Sequence, residues 1–562
     1  MFFVTTGPDR TAAKGILATA DIRCIALLIA LQVGVTLVVA PRGNFGVSDD
    51  FTYAHSVLWL IGEHRIRLSE WATTNLLPQI LLGGVATAIF GFSFEVLRHL
   101  TQVVAIGASV AVFAWFRLLQ LQPKSALVAS MAVLAMPSWP LLANSFMSDL
   151  YGLAFALSAA ALFLCALNRF TWRVWVAAAL VGAIGVLERQ IVIVVPVAFA
   201  VACLWGIGRW NARTLAIALA PLALALLAEF GYLAYLASGP GVPETQHQVY
   251  EMIVGSLWNA VVGVEGSRAN VLDNVLTLGG YVGLFLFGWA LWWGMRGASP
   301  AVRASVLFAG AAIAIVALTF DWLPPYRRNF TIESAGIGPF TLYDGLPRGL
   351  ANFDRSPGIV WRVAGIASAF GIAALVALAL ATLVWLVKAG RDAARDRVFV
   401  AALVVASLAP FMAIGYIDRY LLLALPFLFA LWSLTWPASE SVPATFRRGV
   451  ALASLVGAIG LSAAATHDFF SWNRVRWDAI HIAERLGATP ETLDGGYEYN
   501  GFTRLLNGMV PRVPGKSWWW VKDDVYVVAF TSVPGYEVIE TLPVPHWLSR
   551  SPREIKLLRR AQ

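Results

Sequence analysis

The 562-residue chain is strongly apolar, with 59% hydrophobic residues, only 13% charged residues and a mean hydropathy of +0.70. This composition excludes a water-soluble domain, because one core could not bury so much apolar surface. The net charge of +8 could suggest nucleic acid, but the basic residues are spread among short loops between apolar runs, where they orient membrane helices. We therefore predict a polytopic integral membrane protein that contacts membrane lipids and no nucleic acid.

Apolar runs near the length that crosses a hydrocarbon core of about 30 Å recur along the chain. The predicted spans are 22–40, 100–119, 126–143, 150–167, 172–187, 191–207, 215–236, 275–293, 302–323, 359–387, 398–416, 421–436 and 450–465. One further apolar run, 76–92, contains Pro78, Gln79 and two glycines, and is predicted to be interfacial.

The loop charges predict the orientation of these thirteen spans. Arg117, Lys124, Arg169, Arg173 and Arg447 are among the basic residues that gather on one side, which should be the cytoplasm. The N-terminus is then cytoplasmic, whereas the first loop, 41–99, and the tail, 466–562, are external. In a bacterium these would be periplasmic faces of the inner membrane. We predict a transmembrane domain, 1–465, and an external domain, 466–562.

The tail has the character of a soluble unit. A helix is predicted at 478–486, strands at 524–532 and 537–542, and a last strand or frayed end at 554–559, which together suggest a small α/β domain. The stretch 494–501, Asp-Gly-Gly-Tyr-Glu-Tyr-Asn-Gly, and the triplet Trp518-Trp519-Trp520 mix aromatic and hydrogen-bonding groups. They could stack on sugar rings or pack on lipid headgroups.

Acidic residues stand at two external loops. Asp49 and Asp50 are adjacent, about ten residues after the first apolar run, and Asp149 opens a later helix. An acidic pair at a membrane edge is self-repelling and costly to desolvate, so chemistry explains it better than packing does. Each position alone could cap a helix. Two such positions on consecutive external hairpins predict convergence on one cavity.

The order of these features resembles that of GT-C class membrane glycosyltransferases. A span, an acidic pair followed by Tyr53-Ala54, interfacial helices, two spans and the lone Asp149 are similar to the protein O-mannosyltransferase and lipid A aminoarabinose transferase branch. The resemblance implies an all-α polytopic fold with about thirteen transmembrane helices and interfacial helices in the first external loop. It also implies a small C-terminal α/β domain.

The resemblance implies roles for individual residues. Asp49 would be the general base that activates an acceptor hydroxyl or amine in an inverting transfer, Asp50 would orient the base or the acceptor, and Asp149 would help to hold them. The donor would be a sugar linked to polyprenyl phosphate, and the acceptor a lipid, glycan or protein. The leaving phosphate needs cations. The candidates are Arg189 and Arg419, followed by His247 and Arg327, with Tyr53, His55 and Tyr420 lining the pocket.

Alternatives remain for the two arginines. Arg189 could be a snorkelling side chain paired with Glu188, and Arg419 could simply pair with Asp418. The branch also carries a lysine before the proline that opens the interfacial segment, and Asn75-Leu76-Leu77-Pro78 lacks it. This departure leaves both the sugar and the acceptor open.

No obligatory cofactor or metal is expected, because Ser48-Asp49-Asp50 lacks the Asp-x-Asp spacing of nucleotide-sugar metal sites. A polytopic membrane protein of this kind could have two other functions. A transporter or flippase for a lipid-linked sugar would favour repeated halves and charges near mid-membrane, and neither is found. A multi-span acyltransferase would need a histidine base, and none of the seven histidines has a suggestive partner.

Overall fold

The computed structural model describes residues 19–205, 211–264, 266–295, 298–320, 342, 359–390, 394–413, 418–437, 445–504, 521–548 and 552–561. The described part is predominantly helical. Its α-helices are Thr19–Val39, Asp50–Glu63, Leu77–Phe90, Phe94–Leu118, Pro123–Leu134, Trp139–Ala143, Asp149–Asn168, Trp172–Glu188, Val194–Leu204, Ala212–Ser238, Glu244–Val262, Ser267–Trp293, Pro300–Thr319, Ile359–Ala389, Arg395–Ala413, Leu425–Thr435, Thr445–Arg485 and Tyr497–Arg504. The 3-10 helices Gln190–Ile193 and Asp418–Leu423 precede two of them.

In each of the thirteen predicted spans, most of the described residues are helical. Eight helices in the described ranges are long and apolar enough to cross a membrane by length and composition. The other predicted spans correspond to shorter or interrupted helices. Pro137 lies between the helices Pro123–Leu134 and Trp139–Ala143, where the span 126–143 was predicted. The predicted all-α membrane fold is confirmed.

The first predicted external loop contains two helices. The helix Asp50–Glu63 begins directly after Asp49, and Leu77–Phe90 starts at a proline-containing first turn. At about 1.5 Å per residue, fourteen residues reach about 21 Å, which is less than a hydrocarbon core. The length of Leu77–Phe90 thus agrees with the interfacial placement that the sequence predicts.

The C-terminal part, from residue 466 onward, differs from the prediction at one helix. Residues 478–485 are helical as predicted, but they are the end of the long helix Thr445–Arg485 and not a separate short helix. No glycine or proline occurs between residues 461 and 486, so nothing in the chain stops the helix before Gly487, whose φ is +94°. This helix runs through residue 465, the boundary at which the two domains were predicted to meet.

A small sheet completes the C-terminal part. The strands are β1, Leu493–Asp494; β2, Tyr526–Ala529; β3, Tyr536–Pro543; and β4, Glu554–Arg560. Their order is β1-β2-β4-β3, with β1 parallel to β2 and both other pairs antiparallel. The three predicted strands are confirmed, whereas β1 and the helix Tyr497–Arg504 were not predicted.

The C-terminal part packs directly on the first loop. Phe45 stacks on Trp477 with a centroid distance of 6.1 Å and lies 6.2 Å from Phe470. These three rings belong to one continuous apolar core, in which Phe45 is 2% exposed and Phe470 is fully buried. The loop that precedes the acidic pair is therefore held between membrane helices and the tail.

Candidate active site

Backbone contacts fix the loop before the acidic pair. Arg98, in the helix Phe94–Leu118, is fully enclosed and donates to the carbonyl oxygens of Pro41, Gly43 and Phe45 at 2.6, 3.1 and 2.9 Å. Such charge-assisted bonds to several carbonyls in a buried setting are strong and directional. Ser48, at the end of this loop, has a φ of +56°, a conformation that a non-glycine residue seldom adopts.

Asp50 faces away from solvent and acts on backbone groups. Its Oδ1 accepts from the Val47 N–H at 2.6 Å, and its Oδ2 accepts from the Phe146 N–H at 3.2 Å. The side chain thus joins the first loop to the loop that precedes Asp149. Burial raises the pKa of Asp50 to about 8, although the two N–H donors and Arg98 oppose this shift.

Asp49 points in a different direction. It is the N-cap residue of Asp50–Glu63, but its side chain makes no capping hydrogen bond, so the capping alternative does not account for it. Oδ2 of Asp49 accepts from Arg419 Nη2 at 3.1 Å, and Oδ1 accepts from the Tyr497 hydroxyl at 2.5 Å and from Trp71 Nε1 at 3.4 Å. The Asp49 side chain remains 23% exposed.

Asp149 forms the second ion pair of the site. It is the first residue of Asp149–Asn168, after the N-cap Ser148, and its Oδ1 lies 2.7 Å from Arg189 Nη1. Arg189 Nη1 also donates to Ser148 Oγ at 3.3 Å. Within the described residues, Asp149 Oδ2 is buried and has no hydrogen-bond partner. A buried acceptor oxygen beside the Asp149–Arg189 pair is thus left without a donor among these residues.

A glycine makes room for the Arg189 side chain. A Cβ atom at Gly152, one turn after Asp149, would lie 2.7 Å from Arg189 Cδ. The backbone at Arg189 is held as well: the preceding residue, Glu188, accepts at its carbonyl oxygen from the Leu76 N–H at 3.0 Å, and at Oε2 from the Gln79 N–H at 2.9 Å. The Glu188 carboxylate therefore binds a backbone N–H in the first turn of the helix Leu77–Phe90, whereas Arg189 pairs with Asp149.

The two guanidinium groups meet at Tyr420. The ring centroid of Tyr420 is 5.4 Å from Arg419 Cζ and 5.7 Å from Arg189 Cζ. Burial opposes the charge of Arg419, but the negative charge of Asp149 and Asp49 outweighs it and raises the pKa of the guanidinium. Both arginines are therefore permanent cations. Asp418, the alternative partner of Arg419, accepts from the backbone N–H of Arg419 at 2.9 Å.

Tyr53 lies in the same electrostatic environment. It is 4% exposed, and its hydroxyl is influenced by Asp49, Arg419 and Arg189. Burial and the charge of Asp49 raise the pKa of Tyr53, which keeps the phenol protonated.

Not every predicted residue belongs to the cluster formed by Asp49, Asp149, Arg189, Arg419 and Tyr420. The ring of His55 stacks on Phe502 at 4.8 Å, its Nε2 lies 2.8 Å from the Phe502 carbonyl oxygen, and burial lowers its pKa to about 4. His247 is exposed in the helix Glu244–Val262 and no contact joins it to the cluster among the described residues. Arg327 and the triplet Trp518-Trp519-Trp520 lie outside the described residues.

Sequence reasoning missed three residues at the site. Trp71 and Tyr497 contact Asp49, and Gly152 accommodates Arg189. The motif 494–501 was a signal for Tyr497, since it concentrates polar and aromatic groups, but its sequence distance from Asp49 gave no reason to join the two. No group of three or more His, Cys, Asp or Glu residues that could hold a metal occurs in the described part.

Two carboxylates, two guanidinium groups and a tyrosine thus lie together at helix ends. Part of the chain matches a known family in sequence. Residues 81–232 match the family model described as dolichyl-phosphate-mannose-protein mannosyltransferase. Over these residues, the predicted resemblance to the protein O-mannosyltransferase branch is confirmed. The matched segment includes Asp149, Gly152 and Arg189, and it relates the chain to enzymes of glycosyl transfer.

Three solved structures are similar to the chain at low sequence identity, and the two ArnT structures align over almost its whole length. ArnT from Cupriavidus metallidurans in the apo state is 15% identical, with a TM-score of 0.38 and coverage of 96% of this chain and 98% of ArnT. ArnT from the same organism bound to undecaprenyl phosphate is 15% identical, with a TM-score of 0.38 and coverage of 95% of this chain and 97% of ArnT. The Archaeoglobus fulgidus oligosaccharyltransferase complex with Zn and sulfate is 14% identical, with a TM-score of 0.31 and coverage of 72% of this chain and 53% of that protein. These TM-scores are too low to transfer a residue role. No curated protein matches the chain in sequence.

Proposed function

We propose that this protein transfers a sugar from a polyprenyl-phosphate-linked donor to a lipid, glycan or protein acceptor, with inversion at the anomeric carbon. The observation that carries the proposal is the convergence of Asp49, Arg419, Asp149 and Arg189 through two ion pairs of 3.1 and 2.7 Å. Carboxylates supply a base and guanidinium groups supply cations for a leaving phosphate. The family match over residues 81–232 supports glycosyl transfer as the reaction.

Asp49 is the proposed general base. A carboxylate has about four acceptor positions, and Arg419, Tyr497 and Trp71 donate to three of them. The fourth position and the 23% exposure of the side chain leave access for an acceptor hydroxyl or amine. In the transfer, the acceptor oxygen or nitrogen bonds to the anomeric carbon, its proton moves to Asp49, and the bond between that carbon and the phosphate oxygen breaks.

The electron pair of the broken bond leaves with the polyprenyl phosphate. Arg189 is the proposed phosphate ligand, because its contacts to Asp149 and Ser148 both use Nη1, and a guanidinium carries five N–H donors. Arg419 adds a second positive charge across the ring of Tyr420. Asp149 holds Arg189 in place, and its buried Oδ2 can accept a hydrogen bond from the acceptor or the sugar.

The proposed location is the external face of the membrane, which in a bacterium is the periplasmic side of the inner membrane, with a cytoplasmic N-terminus. Asp49 and Asp149 lie at helix N-termini, Arg189 is the C-cap of Trp172–Glu188, and Arg419 lies in a 3-10 helix between two helices. Helix ends at one edge of a bundle fit a headgroup phosphate, whereas the basic loops of the opposite edge fit anionic cytoplasmic lipid.

Glycan analysis of host cells tests the proposal. Deletion of the gene should give an envelope lipid, glycan or protein that lacks one sugar residue in mass spectra, and the wild-type gene should restore it. Asp49→Asn should accumulate in the membrane and fail to restore the sugar. Asp478→Asn, at an exposed carboxylate of the same predicted face, is the matched control and should restore it fully. Unchanged glycans in the deletion would contradict glycosyl transfer and favour a transporter.

A further inference from the structure

The C-terminal part reaches into the cluster through two neighbouring residues. Tyr497 donates to Asp49 Oδ1 at 2.5 Å, and Glu498 Oε1 accepts from the Ser48 N–H at 3.1 Å. Residues 497 and 498 thus hold residues 49 and 48, although about 450 positions of sequence separate them. Two adjacent contacts of this kind fix both the side chain and the backbone of the acidic loop.

A buried ion pair anchors these contacts. Arg476 Nη1 lies 2.6 Å from Glu498 Oε2, and both side chains are fully buried. Arg476 also donates to Asn473 Oδ1 at 3.2 Å and, through Nε, to the Gly495 carbonyl oxygen at 2.8 Å. A buried charge pair with this many hydrogen bonds fixes its surroundings in one arrangement.

The phenol ring of Tyr497 is held independently of its hydroxyl. It meets Phe51 edge-on, with a centroid distance of 5.3 Å and an interplanar angle of 81°, and Tyr497 is 7% exposed. Burial and the charge of Asp49 raise the pKa of Tyr497 well above its usual range, so the hydroxyl remains a donor at any physiological pH.

We propose that Tyr497 is a positioning residue for Asp49, so that the C-terminal part completes the transfer site. This inference rests on the proposed function, in which Asp49 is the base. Arg419 fixes Oδ2, and Tyr497 and Trp71 fix Oδ1, which leaves one lone pair of the carboxylate directed at the acceptor. Without the phenol hydroxyl, the carboxylate can rotate about its last bond and present the wrong lone pair.

Tyr497→Phe tests the inference, because phenylalanine keeps the ring against Phe51 and removes only the donor. Tyr499→Phe is the matched control: the Tyr499 hydroxyl, two residues away, donates to Glu484 and does not touch Asp49. In deletion cells that carry each variant, the rate of glycan completion is followed by mass spectrometry. Asp49→Asn is run in parallel.

We expect Tyr497→Phe to lower the rate about tenfold, the scale of one charge-assisted hydrogen bond. Tyr499→Phe should keep the wild-type rate.

The outcomes separate this inference from the function on which it rests. A wild-type rate for Tyr497→Phe, with Asp49→Asn inactive, would overturn the positioning role and leave the function standing. Activity in Asp49→Asn would remove the function itself. Equal losses in Tyr497→Phe and Tyr499→Phe would mean that the tyrosines only stabilise the fold, which also overturns the inference.

A substrate-free measurement completes the test. The fall in melting temperature caused by Tyr497→Phe is measured in the wild type and in Asp49→Ala, as a double-mutant cycle. We expect the fall to be clearly smaller when Asp49 is absent, since the bond is then already lost. Equal falls in both backgrounds would show that the hydroxyl does not contact Asp49 and would overturn the inference.

Discussion

Arg419 donates through Nη2 to Asp49 Oδ2 at 3.1 Å, across 370 positions of sequence. The guanidinium is only 6% exposed, so the pair is largely shielded from water and the electrostatic attraction between its members is strong. Because Asp49 and Arg419 lie near the beginning and the end of the predicted transmembrane domain, this bond joins its two ends at the site.

Arg419→Lys tests the geometry of this pair. Lysine keeps the positive charge but loses the planar fork that reaches Asp49 while the same group lies over Tyr420. We expect a loss of transfer of about ten- to a hundredfold with little change in melting temperature, measured by glycan completion in deletion cells. Arg448→Lys, at a residue whose guanidinium lies over Trp292, is the control and should retain full activity. Full activity in Arg419→Lys would show that charge alone suffices.

Gly152→Ala tests the space that Arg189 occupies. The new methyl group would lie 2.7 Å from Arg189 Cδ and should displace the guanidinium from Asp149, so we expect transfer to fall by at least about tenfold. Alanine favours a helix over glycine by up to about 1 kcal/mol, which offsets part of the stability lost when Arg189 leaves Asp149.

Gly182→Ala is the matched control for this substitution. A Cβ there would have ordinary contacts of 3.9 Å with Phe163 and 4.0 Å with Ala159. The variant should retain full transfer and equal or higher thermal stability. If both glycine variants transfer normally, the close approach of Arg189 to the helix has no bearing on the reaction.

Asp50→Asn tests the buried carboxyl that joins the two loops. Burial raises the pKa of Asp50 to about 8, so its folded state holds the proton over a wider range than the unfolded state does. The resulting stabilisation is fully present below the ordinary carboxyl pKa near 3.8 and is lost as the pH rises through about 8. The asparagine cannot titrate.

The melting temperature of wild type minus that of Asp50→Asn should therefore fall as the pH rises and level off above about 8. Scanning fluorimetry in detergent at several pH values measures this difference. A constant offset is also expected, because the new NH₂ group faces a backbone N–H of Val47 or Phe146. A difference that does not vary with pH would refute the titration of Asp50.

Glu498→Ala tests the anchor of the C-terminal part. The change leaves the fully buried charge of Arg476 without its carboxylate and should lower the free energy of unfolding by about 3–5 kcal/mol. Chemical denaturation and limited proteolysis of the C-terminal part measure the effect. The double variant Arg476→Met, Glu498→Leu should recover part of the loss, because it removes the unpaired buried charge but leaves the Ser48 N–H and the Gly495 carbonyl without these partners. A double variant as unstable as Glu498→Ala would argue against this account.

Much of the fold was open to prediction because lipid imposes a simple rule on sequence. Backbone groups in a bilayer must bond within a helix, so apolar runs of sufficient length are helices whatever else they contact. The thirteen predicted spans illustrate this. The helix at 478–486 shows the limit of the rule, since no local signal marked where a membrane helix stops and a soluble one begins.

The site residues were predictable where ionisable side chains lie next to apolar, membrane-spanning segments. Asp49, Asp149, Arg189 and Arg419 were recognisable because each ionised group near lipid is costly and needs a reason. The pairing was not recognisable. Arg189 had Glu188 beside it and Arg419 had Asp418, yet each guanidinium binds a carboxylate from a distant loop.

Composition and local hydrophobic periodicity were enough to indicate a lipid environment, the helical spans and the ionisable residues that need partners near lipid. The tertiary structure alone decided which partners they found. It separated Asp50, which binds two backbone N–H groups, from Asp49, whose side chain binds Arg419 and remains 23% exposed. It also brought Tyr497 to Asp49, because contacts between distant segments depend on how helices pack, and no local pattern encodes them.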